Sequence, residues 1–152
     1  MIGKYQMLGS MSLVCMVLVG CNDIPSEYRE FFRLSPSEME KTLIKFPQDQ
    51  QIDLMIIGWT KPHPPIGFFF LVSKNGESIV PLLIQRMAET DDLETLRPLA
   101  LCLYDVDKWH FPWTAHKNYV ESLERVLGQK RDLIIKREVI GILKTGMPHS
   151  FF

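Results

Sequence analysis

Two carboxylates, a histidine and two tryptophans fall within the ten residues Tyr104-Asp-Val-Asp-Lys-Trp-His-Phe-Pro-Trp113. Asp105 and Asp107 are a carboxylate pair, and glycoside hydrolysis needs two carboxylates flanking the scissile bond. With Trp109, Trp113 and His110 nearby, the pattern raises a sugar-binding or glycosidase-like cleft. The competing reading is a solvated helix end. Aspartates at a helix C-terminus oppose the macrodipole by a few tenths of a kcal/mol, a local misfit that can mark function. Trp109, Phe111 and Trp113 also alternate with polar or cyclic residues. Exposed, these three are the candidate partner-binding residues of the chain; folded back, they plug the end of a bundle.

The remaining chemistry-bearing side chains form no recognisable set. His110 and His116 are six residues apart across a proline, which is not the i, i+4 pairing of a helical zinc site. His63 and His149 stand alone, and no Cys or Glu lies at ligand spacing. Cys102 sits in Leu99-Ala-Leu-Cys-Leu-Tyr104 and reads as a small buried hydrophobe, since a reactive thiol needs a cation or a helix N-terminus beside it. No Gly-x-Gly-x-x-Gly, phosphate loop, Gly-x-Ser-x-Gly or His-Glu-x-x-His occurs. The reading assigns no catalytic residue, no metal and no cofactor.

The N-terminus is the most informative stretch. Lys4 is the only charge before Met7–Val19, an apolar run too short for a hydrocarbon layer that takes about 20 apolar residues to cross. A charged start, a short apolar middle and a small residue, Gly20, before the cut describe a secretory signal peptide. Leu18-Val19-Gly20-Cys21 resembles the bacterial lipoprotein signal, an apolar residue and two small or apolar residues followed by cysteine. That resemblance covers residues 1–21. It implies cleavage between Gly20 and Cys21, diacylglycerol on the Cys21 sulfur, and a fatty acid such as palmitate on the new amino terminus. Two or three chains on one cysteine make attachment effectively permanent, where one binds only marginally. The membrane is then a partner through the lipid on Cys21, and the address is the bacterial cell envelope. Asn22, where an aspartate signals inner-membrane retention, points to the periplasmic face of the outer membrane in a Gram-negative cell; Asp23 pulls the other way.

Removing residues 1–20 leaves 132 of 152 residues, enough for one domain with a real core. Without Lys4 the chain carries 16 basic and 18 acidic side chains, no electrostatic footprint for nucleic acid. With Cys15 removed and Cys21 acylated, only Cys102 remains, so the monomer has no internal disulfide.

The expected organisation is a signal peptide over 1–20, the lipidated cysteine and a tether over 21–34, a helical domain over 35–147 and a frayed tail over 148–152. The tether spans at most about 45 Å, and Tyr28, Phe31 and Phe32 predict that its second half packs on the domain. Ser35-Pro36-Ser37-Glu38 is a capping box with proline at the first helical position. Met39, Leu43 and Phe46 follow at helical spacing. Pro47 opens a second helix with Ile52, Met55, Ile56 and Trp59 on one face, and Lys61-Pro-His-Pro-Pro65 breaks it. Ile66–Val72 is a continuous apolar run that periodicity cannot assign; its neighbours and Asn75-Gly76 favour a helix. A helix over Glu77–Ala88 requires Pro81 in its first turn. The next starts with Asp91 capping and Glu94 reaching back, and Pro98 should kink it. Thr114 caps a helix ending at Gly128, and residues 130–144 form the last. Its expected core face is Leu133, Ile134, Val139, Ile140 and Leu143; Lys130, Arg131, Lys136, Arg137 and Lys144 are its wet face or a contact for anionic headgroups.

These readings predict an all-α fold of six or seven helices, either an irregular antiparallel bundle or a short array of helical hairpins with a weak resemblance to HEAT and armadillo repeats. The function expected is a membrane-anchored, non-catalytic interaction module with an envelope protein as partner. Two alternatives stand beside it: a lipid-anchored immunity or inhibitor protein against a toxin or cell-wall enzyme, and a cell-wall sugar binder or hydrolase built on Asp105 and Asp107.

Overall fold

Helix starts in this chain follow the chemistry of their first turns. The computed structural model describes residues 24–60 and 68–147, and places there α1 (Pro36–Leu43), α2 (Gln48–Trp59), α3 (Phe68–Ser73), α4 (Val80–Ala88), α5 (Leu93–Trp109), α6 (Lys117–Gln129) and α7 (Leu133–Thr145), with two 3-10 turns before α1, one before α4 and one before α6. No strand occurs among the described residues, so the fold is all-α. The Leu18–Cys21 signal, the Lys61–Pro65 break with His63, Ile66, and the tail with Pro148 and His149 lie outside the described residues.

At α1 the Glu38 carboxylate accepts from the Ser35 backbone N–H at 3.0 Å and from its hydroxyl at 2.5 Å, with Pro36 at the first position. The apolar run is helical over Phe68–Ser73, and Gly76 then reverses the chain at φ +62°. The α4 helix begins at Val80 rather than Glu77, behind a 3-10 turn over Gly76–Ile79. Pro81 has no N–H to give, so it fits where the helix leaves those donors unpaired anyway.

Three further expectations move. The cap of α5 is Asp92, not Asp91: its carboxylate accepts from the Thr95 N–H at 3.0 Å and the Thr95 hydroxyl at 2.6 Å. Asp91 is drawn instead to Lys130 Nζ at 3.0 Å, and Glu94 pairs forward with Arg97. The α5 helix runs through the buried Pro98 to Trp109. Thr114 does not cap α6, because its N–H and hydroxyl both donate to Asp107; the helix starts after His116 and continues through Gly128 to Gln129. The core face of α7 is Val139, Ile142 and Glu138, with Leu143 partly buried, while Leu133, Ile134 and Ile140 are exposed. At about 100° per residue Leu133 and Ile140 stand roughly 100–120° from Val139, so the five expected residues never shared one face. Glu138 turns inward because Arg97 Nε meets it at 3.1 Å.

The odd-numbered helices form a row. α3 packs on α1, α5 on α3, and α7 on α5; α2 lies against both α3 and α5, α4 against α5, and α6 against α4. Such stepping places α1 and α7 at opposite ends of a short array. The core runs through Leu43, Ile52, Leu54, Val72, Leu83, Met87, Leu99, Leu103 and Ile142, all fully buried.

The segment before α1 belongs to that core. Tyr28 and Phe31 are buried, and Phe31 meets Phe32 and Phe46 edge-to-face and Phe68 at a tilt. The Tyr28 hydroxyl donates to Asp53 at 3.3 Å, and Asp53 also holds Arg86 at 2.7 Å. Burial raises the Asp53 carboxyl above its ordinary value even beside Arg86.

Candidate functional site: the end of α5

The turn after α5 is built by carbonyls that the helix leaves open. The Val106 carbonyl accepts from the N–H of both His110 (3.0 Å) and Phe111 (2.8 Å), closing the helix and swinging the chain back. Trp113 then folds under the helix: it is 4 % exposed, and its indole Nε1–H donates to the Leu103 carbonyl at 2.8 Å. Phe111 is partly buried, with its ring 4.6 Å from that of His116 and edge-on to Tyr119 at 6.2 Å. Trp109 is 75 % exposed. The three aromatics expected to act together are therefore divided: Trp113 and Phe111 plug the turn, and Trp109 alone faces solvent. Tyr104 and Lys108 lie one helical turn back on α5, with the Lys108 ammonium 5.6 Å from the centre of the Tyr104 ring.

The carboxylate pair is divided as well. Two residues apart on a helix, Asp105 and Asp107 point roughly 200° from each other. Asp105 is buried and accepts from the Ser73 hydroxyl at 2.5 Å, with His110 Nε2 at 3.8 Å. Asp107 faces the turn and holds Thr114 through its N–H at 3.1 Å and its hydroxyl at 2.6 Å. Each carboxylate ties α5 to a different neighbour, α3 or the turn before α6. They do not flank a shared cleft, which is the geometry hydrolysis requires. Nor are they a solvated helix end: both lie near the C-terminus of α5, but Asp105 is buried and Asp107 mostly covered.

Cys102 is fully buried, with its Sγ 3.7 Å from the Phe69 carbonyl. Burial pushes its thiol well above the ordinary range, and the nearby Asp105 pushes it further. That is the setting of an inert packing residue. Among the described residues no cluster of His, Cys, Asp and Glu could hold a metal ion, and no helix is long and apolar enough to cross a membrane.

One surface lay outside the sequence reading. A shallow groove runs between α4 and α6, lined by Pro81, Ile84, Ala88, Tyr119, Arg125 and Val126. Its residues are spread over two helices with no motif spacing, so nothing in the linear pattern marks it. No protein-family model matches the chain, and no curated protein or solved structure does.

Proposed function

We propose that this chain is a lipid-anchored, non-catalytic interaction module of the bacterial cell envelope, attached through Cys21 and offering Trp109 to a protein partner. The observation that carries the reading is Leu18-Val19-Gly20-Cys21 behind a short charge-free apolar run. A second fact supports it. Ile24 already packs on the core, so the chain from Cys21 to the domain spans at most about 10 Å. A domain acylated at Cys21 is thus held against its membrane, with the array of helices extending from that point.

The non-catalytic part of the reading rests on the division of Asp105 from Asp107 and on the buried Cys102 thiol. The partner part rests on Trp109, a large apolar side chain left out of the core at the end of a rigid helix. Tryptophan at such a place supplies contact area at low entropic cost and is enriched among residues that dominate binding energy.

The test is metabolic labelling with an alkyne-bearing fatty acid, followed by fractionation. The full chain should incorporate the label and pellet with membranes, and Cys21→Ala should do neither. A full chain that takes up no label overturns the anchor. Crosslinking then compares the full chain with Trp109→Ala, whose loss of a specific envelope-protein adduct is expected. An unchanged adduct pattern removes Trp109 from the interface.

A further inference from the structure

The α7 helix has a free side with a pattern of its own. Buried Val139 and Ile142 face α5. At about 100° per residue, the side turned directly away from α5 carries Leu133 and Ile140 in line, seven residues apart, with Lys136 on one flank and Arg137 and Lys144 on the other; Met147 follows the left-handed Gly146 that ends the helix. Leu133 is 72 %, Ile140 39 % and Met147 54 % exposed. Among the described residues none of the three cations makes an ion pair with a carboxylate. Lys136 reaches the Gly128 carbonyl at 3.5 Å. The only acidic residue inside α7, Glu138, is turned to the opposite side and held by Arg97.

This side is the last surface of the row α1, α3, α5, α7. The end of a stacked helical array needs a polar outer face to stay solvated. Here the end instead bears the exposed apolar residues Leu133 and Ile140 with the cations Lys136, Arg137 and Lys144 beside them. Leu133 and Ile140 make one narrow ridge, and the exposed Ile134 stands about 100° round from Leu133 with Arg137 between them, so the apolar surface is broken by cations and suits the ridge of a single helix. A bilayer-lying helix presents a wide apolar face. A second copy of this chain is disfavoured: antiparallel pairing about Ile140 sets Lys136 against Lys144.

We infer that the free side of α7 docks an amphipathic helix of a partner protein whose apolar ridge is flanked by aspartate and glutamate. This goes beyond the Trp109 surface. It rests on the interaction-module reading but needs no lipid on Cys21.

The test places the photocrosslinking residue p-benzoylphenylalanine at Ile140 of the full chain, in cells that make it, and identifies the adduct by mass spectrometry. The expected product is a protein adduct mapping to a helical segment with acidic flanks. Lys136→Glu, Arg137→Glu and Lys144→Glu together should lower its yield by at least about tenfold, the equivalent of roughly 1.4 kcal/mol. Lys136→Gln, Arg137→Gln and Lys144→Gln serve as a second variant, with circular dichroism showing that either set folds. An adduct to phospholipid, to a second copy or to no molecule overturns the inference, as does a yield that ignores the charges. Labelling at Cys21 and crosslinking at Trp109 are read separately, so failure of the anchor or of the Trp109 surface is distinguishable from failure here.

Discussion

Trp109 and Trp113 are the same residue type four positions apart, yet the fold gives them opposite work. Trp113 is buried and hydrogen-bonded to the Leu103 carbonyl, so Trp113→Ala should destabilise the domain by about 3–5 kcal/mol, the cost of deleting a large buried aromatic. Trp109→Ala should stay within about 0.5 kcal/mol, as exposed substitutions do. Urea titrations of the two variants check this, and equal midpoints would show that Trp113 contributes no more to the fold than Trp109. Gly76 and Gly146 make a second contrast. Both adopt positive φ, +62° and +71°, but a Cβ on Gly146 would stand 2.5 Å from Cε1 of Tyr104, whereas none of its surroundings crowds Gly76. Gly76→Ala should cost about 1–2 kcal/mol in backbone strain, and Gly146→Ala clearly more, read as a larger drop in melting temperature. At this scale the sequence was legible where chemistry is local. The Ser35–Glu38 box, the Gly146 stop and the burial of Cys102 all follow from near neighbours. It was illegible where two like residues compete: nothing in the order Asp91-Asp92 reveals that Lys130, forty residues on, claims one of them.

Element ends in this chain are electrostatic devices, and α5 shows how. The Asp92 carboxyl is held below its ordinary value, chiefly by the Thr95 hydroxyl and also by backbone N–H groups. A depressed carboxyl means that the unfolded chain binds the proton more readily. Its contribution is therefore complete above about pH 3.9, the ordinary aspartate value, and is lost as the pH falls through the lower folded value. Asp92→Ala should cost about 1 kcal/mol at neutral pH, a shift of about 4 °C in melting temperature for a domain of this size. The gap between the variant and the parent should close in acid, because the parent loses the cap that the variant never had. A gap independent of pH would mean that Asp92 acts by packing alone. The helices themselves were legible because caps, prolines and apolar spacing agreed. The faces of α7 were not, because apolar residues lie on more than one side of that helix, and only the position of α5 decides which are buried. The inward turn of Glu138 has the same origin: its partner Arg97 belongs to another helix.

At the scale of the whole molecule, the row of odd-numbered helices makes one end of the domain the place where the chain enters and the other end the free side of α7. All-α architecture was readable from the pattern. The order of stacking was not, since it depends on which helices meet across the core rather than on any repeat in the sequence. Where the domain begins was legible in part, since Tyr28, Phe31 and Phe32 predict that the chain just before α1 packs on the domain, as it does. The capping box at Ser35 marks the first α-helix, and read alone it sets the boundary there. The core nevertheless extends back to Ile24: Phe31 and Tyr28 are buried, and the Phe31 ring packs on Phe46 beyond α1 and on Phe68 of α3. Removing each such aromatic costs about 3–5 kcal/mol, while the whole stability of a domain is about 5–15 kcal/mol. A chain starting at Ser35 should therefore be largely unfolded, and one starting at Asn22 should melt cooperatively, as thermal circular dichroism would show. A cooperative melt of the shorter chain at an unchanged temperature would show the N-terminal turns to be a detachable strap. Their union with the core is what the proposed anchor at Cys21 depends on: with the turns detached, a lipid there would no longer set which end of the array meets the bilayer.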